Sequence, residues 1–318
     1  MKRGSMTKIV VFGADGFIGQ HLVKKLAESL DNSIIAFDRF SNHQVGLDHP
    51  FHNYPNVEIV AGNFFNREEV SAVLTGMDYV FHLVSATNPA TSNKDPFIDI
   101  DTNIRSSVEL FQLCSEKGVK KVIFPSSGGT VYGDIDSETI NEMTVPAPRS
   151  PYGIGKLTIE GYLRYFKFTA GLDYIVYRIA NPYGPGQNIH GKQGVIPVFM
   201  NKFAQKEPLT IFGDGSMIRD YIYIDDLIEM MAGSYGKDNK FSTYNLGSGI
   251  GTSVNQIVKS IEKCTNHVPE KTHLDTPTTF VHKSVLDNHR FIAEFNIRPI
   301  TNLEEGVAKT WDYVKSIT

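Results

Sequence analysis

Tyr152 and Lys156, four residues apart, are the pair of side chains in this sequence best suited to proton transfer. Tyrosine has an ordinary pKa near 10, so a tyrosine that acts as a base at neutral pH needs a pKa lowered by about 3 units, or roughly 4 kcal/mol. A lysine one helical turn away lies on the same helix face and supplies positive charge. We therefore predict that Lys156 lowers the pKa of Tyr152.

Two hydroxyl side chains stand shortly before this pair, at the end of the apolar run KKVIF. The stretch SSGGTVYG (126–133) follows that run, and it offers Ser127 and Thr130 as hydrogen-bond partners for a substrate oxygen. Tyr132 in the same stretch is predicted to be structural rather than a second base. The predicted catalytic residues are Tyr152, Lys156, Thr130 and Ser127.

A glycine-rich turn near the N-terminus predicts a dinucleotide site. The segment VVFGADGFIGQHL places Gly13, Gly16 and Gly19 between an apolar strand and an amphipathic helix. Such a turn lets the backbone approach a pyrophosphate at the N-terminus of the helix. Asp38 ends the next strand, where a carboxylate binds ribose hydroxyls and repels a 2′-phosphate, so NAD is favoured. Arg39 is the counter-argument, because an arginine could hold that phosphate.

The elements that must position these residues alternate between short apolar runs and helix-length segments. Continuous Val/Ile/Phe runs predict strands buried on both faces, and their alternation with helices predicts a Rossmann-type, doubly wound parallel sheet of the α/β class. After residue 180 the chain becomes richer in Gly, Asn and Pro, which predicts loops and then a smaller α/β lobe over the carboxyl ends of the strands. The predicted strands are 8–13, 33–38, 57–62, 79–84, 120–127 and 173–179, and the predicted long helices are 17–30, 97–117 and 151–170. We expect an NAD-binding domain over 6–179, with contributions from about 219–246, and a substrate-binding lobe over 180–318.

Composition excludes several classes of function. The 318 residues are 41% hydrophobic and 21% charged with a net charge of −4, which disfavours a nucleic-acid partner. No apolar run reaches the roughly 18 residues of a membrane helix. The two cysteines and ten histidines have no metal-ligand spacing, so we predict no metal. So few thiols fit the reducing cytoplasm, which is the predicted location.

The motifs together resemble the extended short-chain dehydrogenase/reductase family. The spacing G-x-x-G-x-x-G, the Tyr-x-x-x-Lys pair, HLVSAT, RIANPYGPGQ, GDGSMIRDYIYIDDL and NLGSG are similar to the branch of NAD-dependent nucleotide-sugar epimerases and dehydratases, typified by UDP-galactose 4-epimerase. This resemblance implies that Tyr152 takes a proton from a sugar hydroxyl. It implies that Lys156 holds the nicotinamide ribose, while the nicotinamide adds positive charge. It also implies a homodimer formed through 97–117 and 151–170.

The resemblance assigns further residues by their motifs. The implied NAD-binding residues are Gly13, Gly16, Phe17, Ile18, Gly19, Asp38, Asn63, Phe64, Leu83, Ser85, Tyr152 and Lys156. The implied nucleotide-sugar-binding residues are Thr87, Gly128, Asn181, Val195, Arg219 and Arg290. For Arg219 the alternative is an ion pair with a nearby aspartate. Two positions depart from the family pattern: Gly128 stands where relatives carry a third serine, and 276–290 lacks the expected arginine, for which Arg290, His282 or Lys283 could substitute.

The resemblance implies an NAD-dependent 4-epimerase of a UDP-hexose that works through a 4-keto intermediate. A 4,6-dehydratase is disfavoured, because Gly128 and Gly129 stand where that branch has an Asp-Glu pair. The alternative within enzymes is a 4-ketoreductase that acts on a dTDP-4-keto-6-deoxy-hexose with NAD(P)H. The distant alternative is a non-catalytic NAD-binding sensor.

Overall fold

A seven-stranded parallel sheet forms the centre of the protein, in the strand order β10-β6-β5-β4-β1-β2-β3. The computed structural model describes residues 6–41, 49–191, 194–276 and 281–318. The strands in this part of the chain are β1 (Thr7–Phe12), β2 (Asn32–Asp38), β3 (Val57–Ala61), β4 (Tyr79–His82), β5 (Lys121–Ser127), β6 (Asp173–Ile179), β7 (Asn181–Tyr183), β8 (Leu209–Phe212), β9 (Ile218–Tyr223), β10 (Thr243–Leu246), β11 (Gly251–Ser253), β12 (Lys271–Leu274) and β13 (Lys283–Ser284).

Helices cover both faces of this sheet. The α-helices are α1 (Phe17–Ala27), α2 (Arg67–Val73), α3 (Pro89–Ser92), α4 (Arg105–Lys117), α5 (Gly128–Val131), α6 (Pro151–Ala170), α7 (Val195–Gln205), α8 (Ile224–Ser234), α9 (Val254–Thr265), α10 (His289–Phe295) and α11 (Leu303–Ile317). On one face α1 packs against α8, and on the other α4 packs against α2 and α6. Within the described ranges, no helix combines the length and the apolar character that a membrane span requires.

The predicted Rossmann-type α/β fold is confirmed, and its first six strands form where the apolar runs predicted them. Helix α6 has the predicted bounds, because Ser150 caps its N-terminus and Gly171 ends it in a left-handed conformation. The predicted helix 97–117 differs, since it begins as a π-helix over Asp99–Ile104 before it continues as α4.

The smaller lobe is built around β9, which lies at the carboxyl-terminal side of the main sheet. Strand β9 pairs with β7, β11 and β13, and β8 pairs with β12 in a separate ribbon. The sequence predicted a loop where β7 forms, because this segment contains Asn and Pro, which are rare in strands. The short strand is stabilised by its pairing with β9, which the local sequence does not indicate. Helices α7, α9 and α11 pack on one another beside these strands. Strand β10 then returns to the main sheet beside β6.

A buried ion pair fixes α6 to the sheet. Arg178 of β6 donates from Nη2 to Glu160 Oε2 at 2.6 Å and from Nε to Oε1 at 3.1 Å. Ser126 of β5 donates to the same Oε1 at 2.5 Å. Both charged side chains are 8% exposed, so each charge depends on the other for compensation.

Glu160→Gln is therefore expected to destabilise the fold strongly. The change keeps the size of the side chain but leaves the Arg178 charge buried and uncompensated, which costs about 3–5 kcal/mol. Urea denaturation measures the free energy of unfolding. Glu304→Gln is the matched control, because Glu304 pairs with Lys263 at the surface and such pairs contribute less than about 1 kcal/mol. Equal losses in both variants would contradict the anchoring role.

Candidate active site

The turn between β1 and α1 has the geometry of a pyrophosphate site. Gly13 has a φ of +86°, and a side chain at Gly19 would collide with the Gly13 carbonyl oxygen. Gly16 is the N-cap of α1 and offers no side chain to its first N–H groups. Those N–H groups, together with the helix dipole, fit an anionic phosphate.

A cavity of about 360 Å³ beside this turn fits the adenosine end of a dinucleotide. Asp38 lies in it, and its carboxylate is fixed because Oδ2 accepts a hydrogen bond from the Asp15 N–H at 3.0 Å and Oδ1 accepts one from the Arg39 N–H at 2.6 Å. The predicted NAD-binding residues that line this cavity are Gly13, Gly16, Asp38, Asn63, Phe64, Leu83 and Ser85. Arg39 lines it too.

A second cavity of about 590 Å³ joins the first, because Gly13, Gly16, Leu83 and Ser85 line both. It lies between the end of β5, the first turns of α6 and the segment after β6. Phe17, Ile18 and Gly19 also line it. The four predicted catalytic residues all line this cavity: Tyr152, Lys156, Thr130 and Ser127. We call it the catalytic cavity.

Lys156 is a buried cation in the wall of this cavity. Its Nζ donates a hydrogen bond to the Pro125 carbonyl at 3.0 Å and lies 4.7 Å from the centre of the Phe124 ring. Burial lowers its pKa to about 8, although the carboxylates of Asp99 and Glu160 raise it. Lys156 therefore remains mostly protonated at pH 7, although it loses its proton at a lower pH than an ordinary lysine.

Tyr152 does not have the lowered pKa that the sequence predicted. The Lys156 Nζ lies 5.7 Å from the centre of the Tyr152 ring, so the predicted proximity holds. Burial and then the negative charge of Asp99 nevertheless raise the pKa of Tyr152 to about 12. Lys156 alone does not offset these two effects, so the phenol is neutral in the protein without cofactor.

The three hydroxyls near the end of β5 have different partners. Ser126 is committed to Glu160, as described above. Thr130 Oγ1 is buried and has no hydrogen-bond partner among the described residues, although the residue lines the catalytic cavity. Ser127 lines the cavity as well and is half-buried at the N-cap of α5. An unsatisfied buried hydroxyl calls for a ligand atom, so Thr130 fits the role of a substrate contact best.

The two glycines of this stretch face different surroundings. A side chain at Gly128 would meet Leu286 Cδ1 at 2.5 Å, and Gly128 is not among the residues that line the catalytic cavity. Gly129 does line it, and a side chain there would approach nothing closer than Asn181 Oδ1 at 3.9 Å. The structure therefore corrects the predicted substrate contact at Gly128, since position 129 is the one that faces the cavity.

A third cavity of about 230 Å³ continues the groove toward the smaller lobe. It shares Asn181, Pro182 and Gly194 with the catalytic cavity. Three of the predicted substrate-binding residues line it: Asn181, Val195 and Arg219.

Arg219 holds backbone carbonyls in this structure. Nη1 donates to the Ile218 oxygen at 2.8 Å and to the His282 oxygen at 3.3 Å, and Nη2 donates to the Val281 oxygen. The guanidinium has no ion-pair partner within the ranges that the structure describes. Burial lowers its pKa, so the charge lies in a low-dielectric wall of the groove. An unpaired cation of this kind fits a phosphate.

Thr87 and Arg290 do not lie where the sequence placed them. Thr87 is buried and donates from Oγ1 to Asp99, and it is not among the residues that line the three cavities. Arg290 pairs with the buried Glu142 at 3.4 Å and stacks 4.4 Å from the centre of the Phe241 ring. Its charge is therefore used inside the fold, and it is not a cavity-lining residue either. Residues 277–280 of the segment that lacks the expected arginine lie outside the described residues.

Gln187 and Asn188 are among the polar residues of the catalytic cavity that sequence analysis missed. Gln187 Oε1 is buried and has no hydrogen-bond partner in the described part of the chain, so it fits a ligand hydroxyl or amide. One indication of this site is present in the sequence, because Gln187 directly follows the glycine-rich segment PYGPG. No group of three or more His, Cys, Asp or Glu side chains within the described ranges could hold a metal ion.

Comparison with known proteins agrees with this geometry. A UDP-glucose 4-epimerase from Mycolicibacterium smegmatis is 31% identical over 316 residues, which cover 97% of this chain and 99% of that protein. A dTDP-4-dehydro-6-deoxyglucose reductase from Escherichia coli is 32% identical over 311 residues, or 97% of both chains.

A solved structure extends the similarity to the fold. The UDP-glucose 4-epimerase of Thermotoga maritima, in a complex with UDP-glucose, superposes with a TM-score of 0.90 at 35% identity and covers 98% of this chain and 99% of its own. The family model of the NAD dependent epimerase/dehydratase family matches residues 9–247. The predicted cofactor, NAD, is confirmed by this match. The chain therefore belongs to the NAD dependent epimerase/dehydratase family.

Proposed function

We propose that this protein is a 4-epimerase of a UDP-hexose that uses bound NAD. One observation carries the proposal: the three cavities form a single groove. It runs from the cavity lined by Asp38, through the catalytic cavity with Tyr152 and Lys156, to the cavity lined by Arg219. A dinucleotide fits one end of that groove, a nucleotide diphosphate fits the other, and the proton-transfer residues lie where the two ligands would meet. The similar epimerases from Mycolicibacterium smegmatis and Thermotoga maritima support this assignment.

The residues of the catalytic cavity divide the chemistry among them. Tyr152 accepts the proton of the sugar 4-hydroxyl and later returns it, and Thr130 Oγ1 hydrogen-bonds the same oxygen. Gly13, Gly16 and Asp38 would hold NAD, which would supply reversible hydride transfer at C4 of the sugar. Asn181 and Arg219 hold the diphosphate while the sugar turns. The protein supplies orientation and electrostatics to this cofactor chemistry.

A 4-ketoreductase is the second candidate function. The Escherichia coli dTDP-4-dehydro-6-deoxyglucose reductase is 32% identical to this chain, against 31% for the Mycolicibacterium smegmatis epimerase. The same Tyr152 and Lys156 could protonate the oxygen of a keto sugar while a reduced nicotinamide coenzyme would supply the hydride. Arg39 beside Asp38 would also accommodate a reduced coenzyme with a 2′-phosphate. A dehydratase gains no support, because no Asp or Glu is among the described residues that line the catalytic cavity.

Proton NMR of the purified protein with a UDP-sugar tests the proposal. Incubation with UDP-galactose and, separately, UDP-N-acetylgalactosamine, without added coenzyme, is expected to give the gluco epimer of at least one. The sugar that is converted faster shows whether the enzyme prefers a hydroxyl or an acetamido group at C2. No conversion of either sugar would overturn the UDP-hexose proposal. Turnover of a dTDP-4-keto-6-deoxy-hexose with NADH would then establish the reductase.

Tyr152→Phe is expected to remove epimerase activity while the protein still binds NAD. General acid–base catalysis contributes about 10²–10⁴-fold, so kcat should fall by at least the lower figure. Tyr162→Phe is the matched control, because Tyr162 lies on the solvent side of the same helix, and it should keep its activity. Full activity of Tyr152→Phe would contradict the assigned base. A wild-type protein that binds NAD but converts no sugar substrate would support the alternative of a non-catalytic NAD-binding sensor.

Thr130→Val should lower kcat by about 100-fold, because it removes a hydrogen bond to the oxygen that changes charge during the reaction. The substitution preserves the shape of the side chain. Ser126→Ala is the control, since that hydroxyl is bound to Glu160, and its loss should cost about 1 kcal/mol of stability with little change in kcat. A large kcat loss in Ser127→Ala, with Thr130→Val unaffected, would instead assign the role to Ser127.

We also propose that the protein forms a homodimer through the outer faces of α4 and α6. Part of the predicted apolar surface is used inside the fold, because Leu110, Phe111 and Leu113 of α4 are buried. The outer side of α6 nevertheless exposes an apolar row, and the π-helical segment before α4 and the residues leading into it expose more. The exposed apolar residues are Ile154, Tyr162, Tyr165 and Phe168 of α6, and Phe97, Ile98 and Ile100. Contiguous apolar surface of this kind favours a partner subunit.

Phe168→Glu combined with Tyr165→Glu is expected to give a monomer in sedimentation velocity, because it places two charges in the proposed interface. The Phe168 side chain is 90% exposed in the single chain. Ile300→Glu serves as the control, since Ile300 is 81% exposed on the smaller lobe, far along the sequence from both helices. A wild-type monomer, or a double variant that stays dimeric, would contradict this interface.

The cytoplasm is the proposed location of the protein. Cys114 is buried and Cys264 is partly buried, and both are free thiols. Burial raises the pKa of both thiols, which keeps them protonated and unreactive. Free thiols and a nucleotide-sugar substrate fit a reducing compartment.

A further inference from the structure

Asp99 is a buried carboxylate that the proposed reaction does not yet use. It is 3% exposed, and its Oδ1 accepts hydrogen bonds from Thr87 Oγ1 at 2.7 Å and from Asn103 Nδ2 at 2.6 Å. Its Oδ2 is buried and has no hydrogen-bond partner among the described residues. A carboxylate oxygen left unsatisfied inside a protein carries an energetic cost, so it calls for a function or a bridging water.

A small cavity connects this carboxylate with the catalytic pair. Its volume is about 10 Å³, close to the minimum for one water molecule. A Cβ atom at Gly155 would be 3.4 Å from Asp99 Oδ1, so the carboxylate lies directly against α6. The π-helical turn Asp99–Ile104 brings Asp99 and Asn103 to the same buried side. The residues that line the cavity include Asp99, Asn103, Tyr152 and Lys156.

The carboxylates of Asp99 and Glu160 both raise the pKa of Lys156, but Glu160 already has a cationic partner. Glu160 is already paired with Arg178 at 2.6 Å, so the charges of that pair largely cancel. Asp99 has neutral hydrogen-bond donors and no cation of its own among the described residues. Asp99 lines the small cavity together with Tyr152 and Lys156. Asp99 is therefore the negative charge that offsets the burial of the ammonium.

We propose that Asp99 is a positioning residue that keeps Lys156 charged and thereby sets the pH range in which the Tyr152–Lys156 pair works. One water molecule in the small cavity would link Oδ2 to the phenol and the ammonium. This inference rests on the proposed epimerase only for its rate measurement, because the charge state of Tyr152 can be followed without substrate.

Removal of the Asp99 charge is expected to shift the pKa values of Lys156 and Tyr152 in one direction. Asp99 raises the pKa of Lys156, which burial lowers to about 8, and it also raises the pKa of Tyr152, which burial and Asp99 together bring to about 12. Removal of its charge therefore lowers both. His82 also lies near Lys156, but it is buried and neutral, with a pKa lowered to about 3 by burial and then by Lys156, so it adds no charge.

Asp99→Asn is expected to move both limbs of the kcat–pH profile to lower pH by about one unit, which is the scale of a close charge pair. The variant keeps an oxygen acceptor for Thr87 and Asn103. Asp101→Asn is the matched control, because it removes the same charge from an exposed position of the same segment. This control should keep the acidic and basic limbs of the wild-type kcat–pH profile.

A tyrosinate titration provides the second readout. The ultraviolet difference between each protein and its counterpart with Tyr152→Phe isolates the ionisation of Tyr152, and Asp99→Asn should shift that ionisation to lower pH. An unchanged titration in a variant with wild-type thermal stability would overturn the role of Asp99. Absent turnover together with a shifted titration would overturn the epimerase proposal and leave the Asp99 inference standing.

Discussion

The buried pair between Glu160 and Arg178 determines where the catalytic groups lie. Tyr152, Lys156 and Glu160 follow one another at intervals of four residues, so they occupy one face of α6. Glu160 binds Arg178 of β6 and Ser126 of β5, which locks that face onto the carboxyl end of the sheet. The reactive phenol and ammonium are thus positioned by a contact that takes no part in the chemistry, and the nearby Thr130 hydroxyl depends on the same strand end.

Burial at this strand end opposes the charged forms of both catalytic side chains. It raises the pKa of Tyr152 and lowers that of Lys156, so the protein alone favours a neutral phenol. In the proposed reaction Tyr152 would gain its reactivity only when more positive charge lies nearby, and the nicotinamide of a bound oxidised cofactor would supply that charge. Proton abstraction would then depend on the presence of the oxidised cofactor.

Local motifs made most of the site predictable, whereas tertiary packing decided the rest. Gly13, Gly19 and Tyr152 belong to short motifs in which sequence spacing fixes the geometry, and the structure brings them together as the sequence indicated. Arg290 could not be placed in this way, because its partner Glu142 comes from a distant segment. The same holds for Asp99, since a π-helical turn that the helical pattern did not reveal carries it beneath α6.

The distribution of charge along the groove fits the proposed epimerisation. Asp38 and Arg219 line cavities at opposite ends of the groove, so in the proposed complex the cofactor and the nucleotide would be held by their outer parts. Between them Lys156 is the only charged residue among the described residues that line the catalytic cavity, and Gly129 leaves open space in its wall. An uncharged hexose in such a cavity could turn about its phosphate linkage without breaking an ion pair. Both faces of C4 can then meet the same hydride site, which a 4-epimerase requires and a one-way reductase does not.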